Sequence, residues 1–109
     1  TGFWESPAIA NTQGSLNHTQ AVKSPDGTVS IVLSQQDPGI ANGLDPSGHT
    51  EGTIAFRLLD PETLPTLRYR TIRPDEVEDA LPQAPRLAPG ERREVLRARR
   101  AAVVRRYRR

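Results

Sequence analysis

The chain contains no cysteine and no methionine, and among its 109 residues only one tryptophan, two tyrosines and two phenylalanines. Without cysteine, disulfides and thiolate metal sites are excluded, and nothing in the composition argues for an oxidising compartment, so a cytoplasmic location is the default expectation. No stretch approaches the roughly 20 apolar residues of a membrane span. The first residues, Thr1 to Glu5, have neither the basic start nor the apolar centre of a signal peptide. The lack of methionine even at position 1 points to a processed product or to a piece of a longer protein, and the second is the expectation. With 35% hydrophobic and 26% charged residues, the chain has material for one small core and no more.

What is present is turn chemistry and unevenly placed charge. Ten prolines and eight glycines, spread along the chain, favour many turns and short strands over a helical bundle. The net charge of +2 hides an asymmetry: from Glu91 onward nine arginines face two glutamates, giving +7, so the preceding residues sum to −5. A basic tail on an acidic body can pair with that body, with the rest of a parent protein or with an external polyanion.

Period-two alternation marks three candidate strands. In residues 28–34, Val29, Ile31 and Leu33 alternate with Ser30, Val32 and Ser34. Residues 53–59 repeat the pattern through Ile54, Phe56 and Leu58, and a more polar strand follows in which Leu67, Tyr69 and Thr71 alternate with Arg68, Arg70 and Ile72. A shorter strand is expected near Phe3 and Trp4. Pro74 should open a short helix ended by Pro82, and Pro89 should stand as first residue of a longer one running to about Tyr107. Ala88 offers that second helix no side-chain cap, which predicts fraying at its start. Arg92, Arg99 and Arg106 recur every seven residues in the middle of its more apolar face, where their stems can pack while their heads seek carboxylates or phosphates.

Between the first two strands lies a run rich in turn-formers and polar side chains, residues 36–52. Long loops on rigid strands commonly bind or cover something, which makes this the candidate site. Asp45, His49 and Glu51 are conceivable metal ligands with His18, but their spacing matches no metal motif. Asp37, Asn42 and Asp45, beside Gly and Pro, are equally explained as turn-makers bonding nearby amides. Ser47 sits in no nucleophile elbow, and whether the chain is an enzyme stays open for want of any catalytic motif. Asn17-His18-Thr19 matches a glycosylation sequon by accident of composition.

Asp26-Gly27-Thr28, then residues 37–42 (Asp-Pro-Gly-Ile-Ala-Asn) and 48–53 (Gly-His-Thr-Glu-Gly-Thr) leading into Phe56-Arg57, resembles in order and spacing the C-terminal region of the bacterial domain of unknown function 1214 family. The arginine-rich tail, with Arg99-Arg100-Ala101-Ala102-Val103 and Arg106-Tyr107-Arg108, looks like an extension seen in some members. Where members commonly carry an Asn-Trp-Leu run, Asn42 is followed here by Gly43. The resemblance implies a β-sandwich or jelly-roll-like domain, or the C-terminal half of one, and no established reaction. It also implies that Asp37, Asn42, Asp45, His49, Glu51 and Arg57 cluster near one end of the sheet.

The expected architecture is therefore mainly β, with residues 1–73 as a β-rich domain and 74–109 as an arginine-rich extension holding one short and one longer helix. The expected function is a non-catalytic structural or interaction portion of a larger bacterial protein, its partner the rest of that protein or another protein. The alternative is an enzyme or a small-ligand or metal site in the loop 36–52, and the third reading is nucleic-acid binding through the tail. No cofactor is implied.

Overall fold

The computed structural model describes residues 12–58 and 62–107. Its regular elements are two strands of two residues each, β1 (Val32–Leu33) and β2 (Gly43–Leu44), a 3-10 turn Pro74–Glu76 running into helix α1 (Val77–Ala80), and helix α2 (Pro89–Tyr107). β1 and β2 lie parallel, with Val32 opposite Gly43 and Leu33 opposite Leu44. The amides of Val32 and Ser34 donate to the carbonyls of Asn42 and Leu44 at 3.0 and 3.1 Å.

This overturns the mainly β expectation: the described residues form no β-sandwich and no jelly roll. The reason lies with the partners a strand needs. Alternation records which side chains would share a face, but a strand exists only where a neighbour takes its backbone groups and buries that face. Among the described residues, 53–58 and 64–71 find no such neighbour and no backbone hydrogen bond, and Ile72 reaches the core by its side chain alone. The face that was to meet a shared interior is in water: Val29 is 43% exposed, Ile31 39%, Ile54 53% and Phe56 58%. The strand expected near Phe3 and Trp4, and the end of the second candidate strand at Leu59, fall outside the described residues.

The two helices stand where the prolines place them. Pro74 and Pro89 occupy first-turn positions, where the missing amide costs nothing. The carboxylate of Glu91 accepts the Ala88 amide at 3.1 Å, half of a capping box, so the start of α2 is held despite the absence of a capping oxygen on Ala88. At the far end of α1 the Arg86 guanidinium donates to the carbonyls of Glu78 and Leu81 at 3.2 and 3.4 Å, covering acceptors the helix leaves open.

The core gathers around Ile40. Ile40, Val77 and Ala84 are its buried apolar residues, with Val32, Ile72 and Leu81 packed against them. The connector after α1 reaches it antiparallel: the Ala41 amide donates to Pro85 at 2.8 Å and the Leu87 amide to Gly39 at 2.9 Å. Gly39 takes a positive φ of 70°, which lets the chain turn into this bridge, and its amide is bonded by Asp37 Oδ1 at 2.9 Å.

Candidate functional site

Residues 36–52 do not project from a sheet as a presenting loop; their centre is the middle of the fold. Residues 40–45 run between β1 on one side and the 85–87 connector on the other, and polar side chains from distant parts of the chain close on their backbone. Gln13, buried, donates through Nε2 to the carbonyls of Gly43 at 2.6 Å and Ala41 at 3.2 Å, while its own carbonyl accepts the Asp45 amide at 2.9 Å. Arg92, the one buried side chain of α2, donates to the carbonyls of Ile40 and Ala41 and bridges both oxygens of Asp37 at 3.3 Å. A chain this poor in large apolar residues thus centres itself on hydrogen bonds, which stabilise only when every buried group is satisfied. Among the described residues no buried side-chain nitrogen or oxygen lacks a partner.

Asn42 is wholly buried and pins two further segments. Its Oδ1 accepts the Val22 amide at 2.8 Å, and its Nδ2 donates to the carbonyls of Val22 at 2.7 Å and Ser30 at 3.1 Å. Gly43 beside it is closely packed: a Cβ there would stand 3.1 Å from both an Arg92 nitrogen and the Pro38 ring, so those side chains would have to give by a few tenths of an ångström. A larger residue at this position would require Arg92 and Pro38 to move.

The remaining candidates divide. Asp45 caps the following turn, its Oδ1 accepting the Ser47 amide at 2.7 Å, and Ser47 itself sits at a positive φ of 56° with its hydroxyl 2.9 Å from that of Thr12. His49 is half-buried, and Gln35 ties this turn back to the end of β1 by donating to the His49 carbonyl at 2.7 Å and accepting the Gly48 amide at 3.2 Å. Glu51 and Arg57 are exposed and make no hydrogen bond or ion pair among the described residues. His18 lies in an exposed turn organised by the Asn17 side chain, which accepts from the Thr19 amide and hydroxyl and the Gln20 amide. Among the described residues no three of His, Asp and Glu converge in a way that could hold a metal ion.

The structure therefore brings Asp37, Asn42 and Asp45 into one neighbourhood and leaves Glu51 and Arg57 in solvent. Asp37 and Asp45 line a shallow cleft of about 150 Å³ together with Gln13, Gly43, Leu44, Arg92 and Leu96. Its one cation, Arg92, is already spent on Asp37 and two carbonyls. The organising residues that the loop reading missed are Gln13 and Arg92. Arg92 had left a signal in the seven-residue recurrence on α2; Gln13, in a weakly patterned stretch, had left none.

On α2 the inward line is Arg92, Leu96, Arg99 and Val103, spaced by four, three and four residues. Arg99 donates to the carbonyl and hydroxyl of Ser15 at 3.1 and 2.9 Å, and burial lowers its pKa from the ordinary value while leaving it a cation. Val95, Val104 and Tyr107 stand exposed on the rest of the helix. No helix among the described residues is long and apolar enough to cross a membrane. No family model, no curated protein and no solved structure matches this chain.

Proposed function

We propose that this chain is a non-catalytic structural or interaction portion of a larger bacterial protein, akin to the domain of unknown function 1214 family in the motif run 26–57 and without that family's implied sandwich. One observation carries the proposal: residues 53–58 offer Ile54, Phe56 and Leu58, each at least half exposed, on a stretch that engages no described backbone. Such a stretch is a recognition element in search of a covering surface, because apolar side chains and unpaired amides on one segment both gain from the same partner. The catalytic alternative draws less support, since Asp37, Asn42 and Asp45 are each committed to holding backbone in place. Amide hydrogen exchange tests the proposal: in the isolated monomer residues 53–58 should exchange at nearly the intrinsic rate. Strong protection there in a proven monomer would mean that the segment is covered from within, and the interaction reading would fall.

A second reading has an observation of its own. Arg93, Arg100, Arg105 and Arg106 are exposed on α2 and form no ion pair among the described residues, which suits a phosphate backbone. Nucleic-acid binding through this face predicts an affinity that falls steeply between 50 and 200 mM salt, about an order of magnitude or more for each few phosphates neutralised. An affinity independent of salt would dispose of it.

A further inference from the structure

Building on the interaction reading, we infer that the partner of residues 53–58 is a second copy of the same segment, paired antiparallel and centred on Phe56. From Gly52 to Leu58 the chain neither turns nor bends, and it forms no hydrogen bond to any described residue. A stretch without turn or bend whose amides and carbonyls meet no described residue is available to pair as a strand edge. Paired as a strand, its side chains would alternate, placing Ile54, Phe56 and Leu58, exposed by 53, 58 and 50%, on one face and Ala55 and Arg57 on the other.

That pattern is its own complement in one register. Antiparallel pairing about Phe56 sets Ile54 against Leu58, Phe56 against Phe56, and Ala55 against Arg57, so each apolar side chain meets another and the charge meets a methyl. Parallel pairing in register sets Arg57 against Arg57, which like-charge repulsion disfavours. An antiparallel slip by one residue sets Ile54 against Arg57 and Phe56 against Ala55, mixing the faces. Centring on Ala55 keeps the faces but sets Leu58 against Gly52, so the register centred on Phe56 brings the most apolar side chains together. A two-stranded ribbon alone is marginal in water, so the dimer should be weak and concentration-dependent.

The absence of cysteine makes the test clean. Phe56→Cys places two thiols directly opposite each other across the two-fold axis, within the Cα separation a disulfide accepts. Under mild oxidation it should give a covalent dimer. Ile54→Cys alone should give little, because the two copies of residue 54 then lie roughly 13 Å apart, whereas the double substitution Ile54→Cys with Leu58→Cys should cross-link. In the unsubstituted chain, amide protection at 53–58 should rise with protein concentration alongside a shift in sedimentation from monomer to dimer. Equal cross-linking of Ile54→Cys and Phe56→Cys overturns the antiparallel register. Exchange that stays fast at every concentration, with no dimer in sedimentation, overturns the second copy as partner and leaves the interaction surface standing. Because the exchange measurement needs no substitution, it decides even if a cysteine variant fails to fold.

Discussion

Truncating Arg92 should be the most damaging single change in α2. The Arg92 side chain is 11% exposed, and its guanidinium spans Asp37 on one side and the carbonyls of Ile40 and Ala41 on the other. In Arg92→Ala the Asp37 carboxylate, itself 39% exposed, regains water, so the lost ion pair accounts for only about 1 kcal/mol. The Ile40 carbonyl belongs to a residue with no exposed surface, and leaving it without a donor costs about 1–3 kcal/mol. The sum is about 3 kcal/mol, which for a domain of this size lowers Tm by roughly 10–20 °C. Urea denaturation followed by far-UV circular dichroism measures it. Arg92→Met, which keeps the stem, should lose most of the same energy, and Asp37→Asn should lose about 1 kcal/mol because its amide amine faces the cation. If Arg92→Ala shifts stability by less than about 0.5 kcal/mol, the value expected of an ordinary surface site, the idea that α2 is docked through this guanidinium is wrong.

Three further expectations follow from the same geometry. Asn42→Ala strands the Val22 amide and the carbonyls of Val22 and Ser30, and should cost about 2–3 kcal/mol in urea melts, with faster amide exchange at Val22 as the local signature. Gly43→Ala pushes a methyl to within 3.1 Å of Arg92 and Pro38, and should cost about 1–2 kcal/mol; a neutral result would show that the Arg92 side chain can yield. Asp26 accepts from the Thr28 hydroxyl at 2.7 Å and amide at 3.0 Å, and these bonds, the hydroxyl first, hold its pKa below the usual 3.8. Since the folded value is the depressed one, the stabilisation is present above 3.8 and is lost as pH falls through the lowered folded pKa. Thr28→Ala should move the Asp26 carboxyl titration, read by NMR, back toward 3.8, and an unchanged titration would contradict that cause.

The helices were legible because their signals are local. Pro74, Pro82 and Pro89 act on the backbone of their own neighbours, and the elements Val77–Ala80 and Pro89–Tyr107 fall between them. Even the inward arginines of α2 left a trace, since a seven-residue recurrence keeps Arg92 and Arg99 on one side whatever they touch. The strands misled for the opposite reason. Ile54, Phe56 and Leu58 alternate as well as any strand, yet pairing is a property of two segments, and among the described residues Val32–Leu33 found Gly43–Leu44 while 53–58 found no partner.

The candidate site shows the same division. That Asp37, Asn42 and Asp45 would serve as makers of local structure could be read from their glycine and proline neighbours, and Asp37 on Gly39 and Asp45 on Ser47 do so. That Asn42 reaches instead to Val22 and Ser30, and that Gln13 and Arg92 arrive from opposite ends of the chain at the carbonyls between Ile40 and Gly43, could not.

By itself, the sequence settled what depends on neighbours along the chain: one small core, helices bounded by proline, turns built on Asx residues, and a basic face on α2. Only the tertiary structure decided that the glycine-rich stretch around Asn42 is the centre of the molecule while Ile54 and Phe56 stand in water. With few large apolar side chains to gather, burial went to the segment whose backbone groups Gln13, Asn42 and Arg92 could satisfy together, and no local pattern announces where such long-range hydrogen bonds will close.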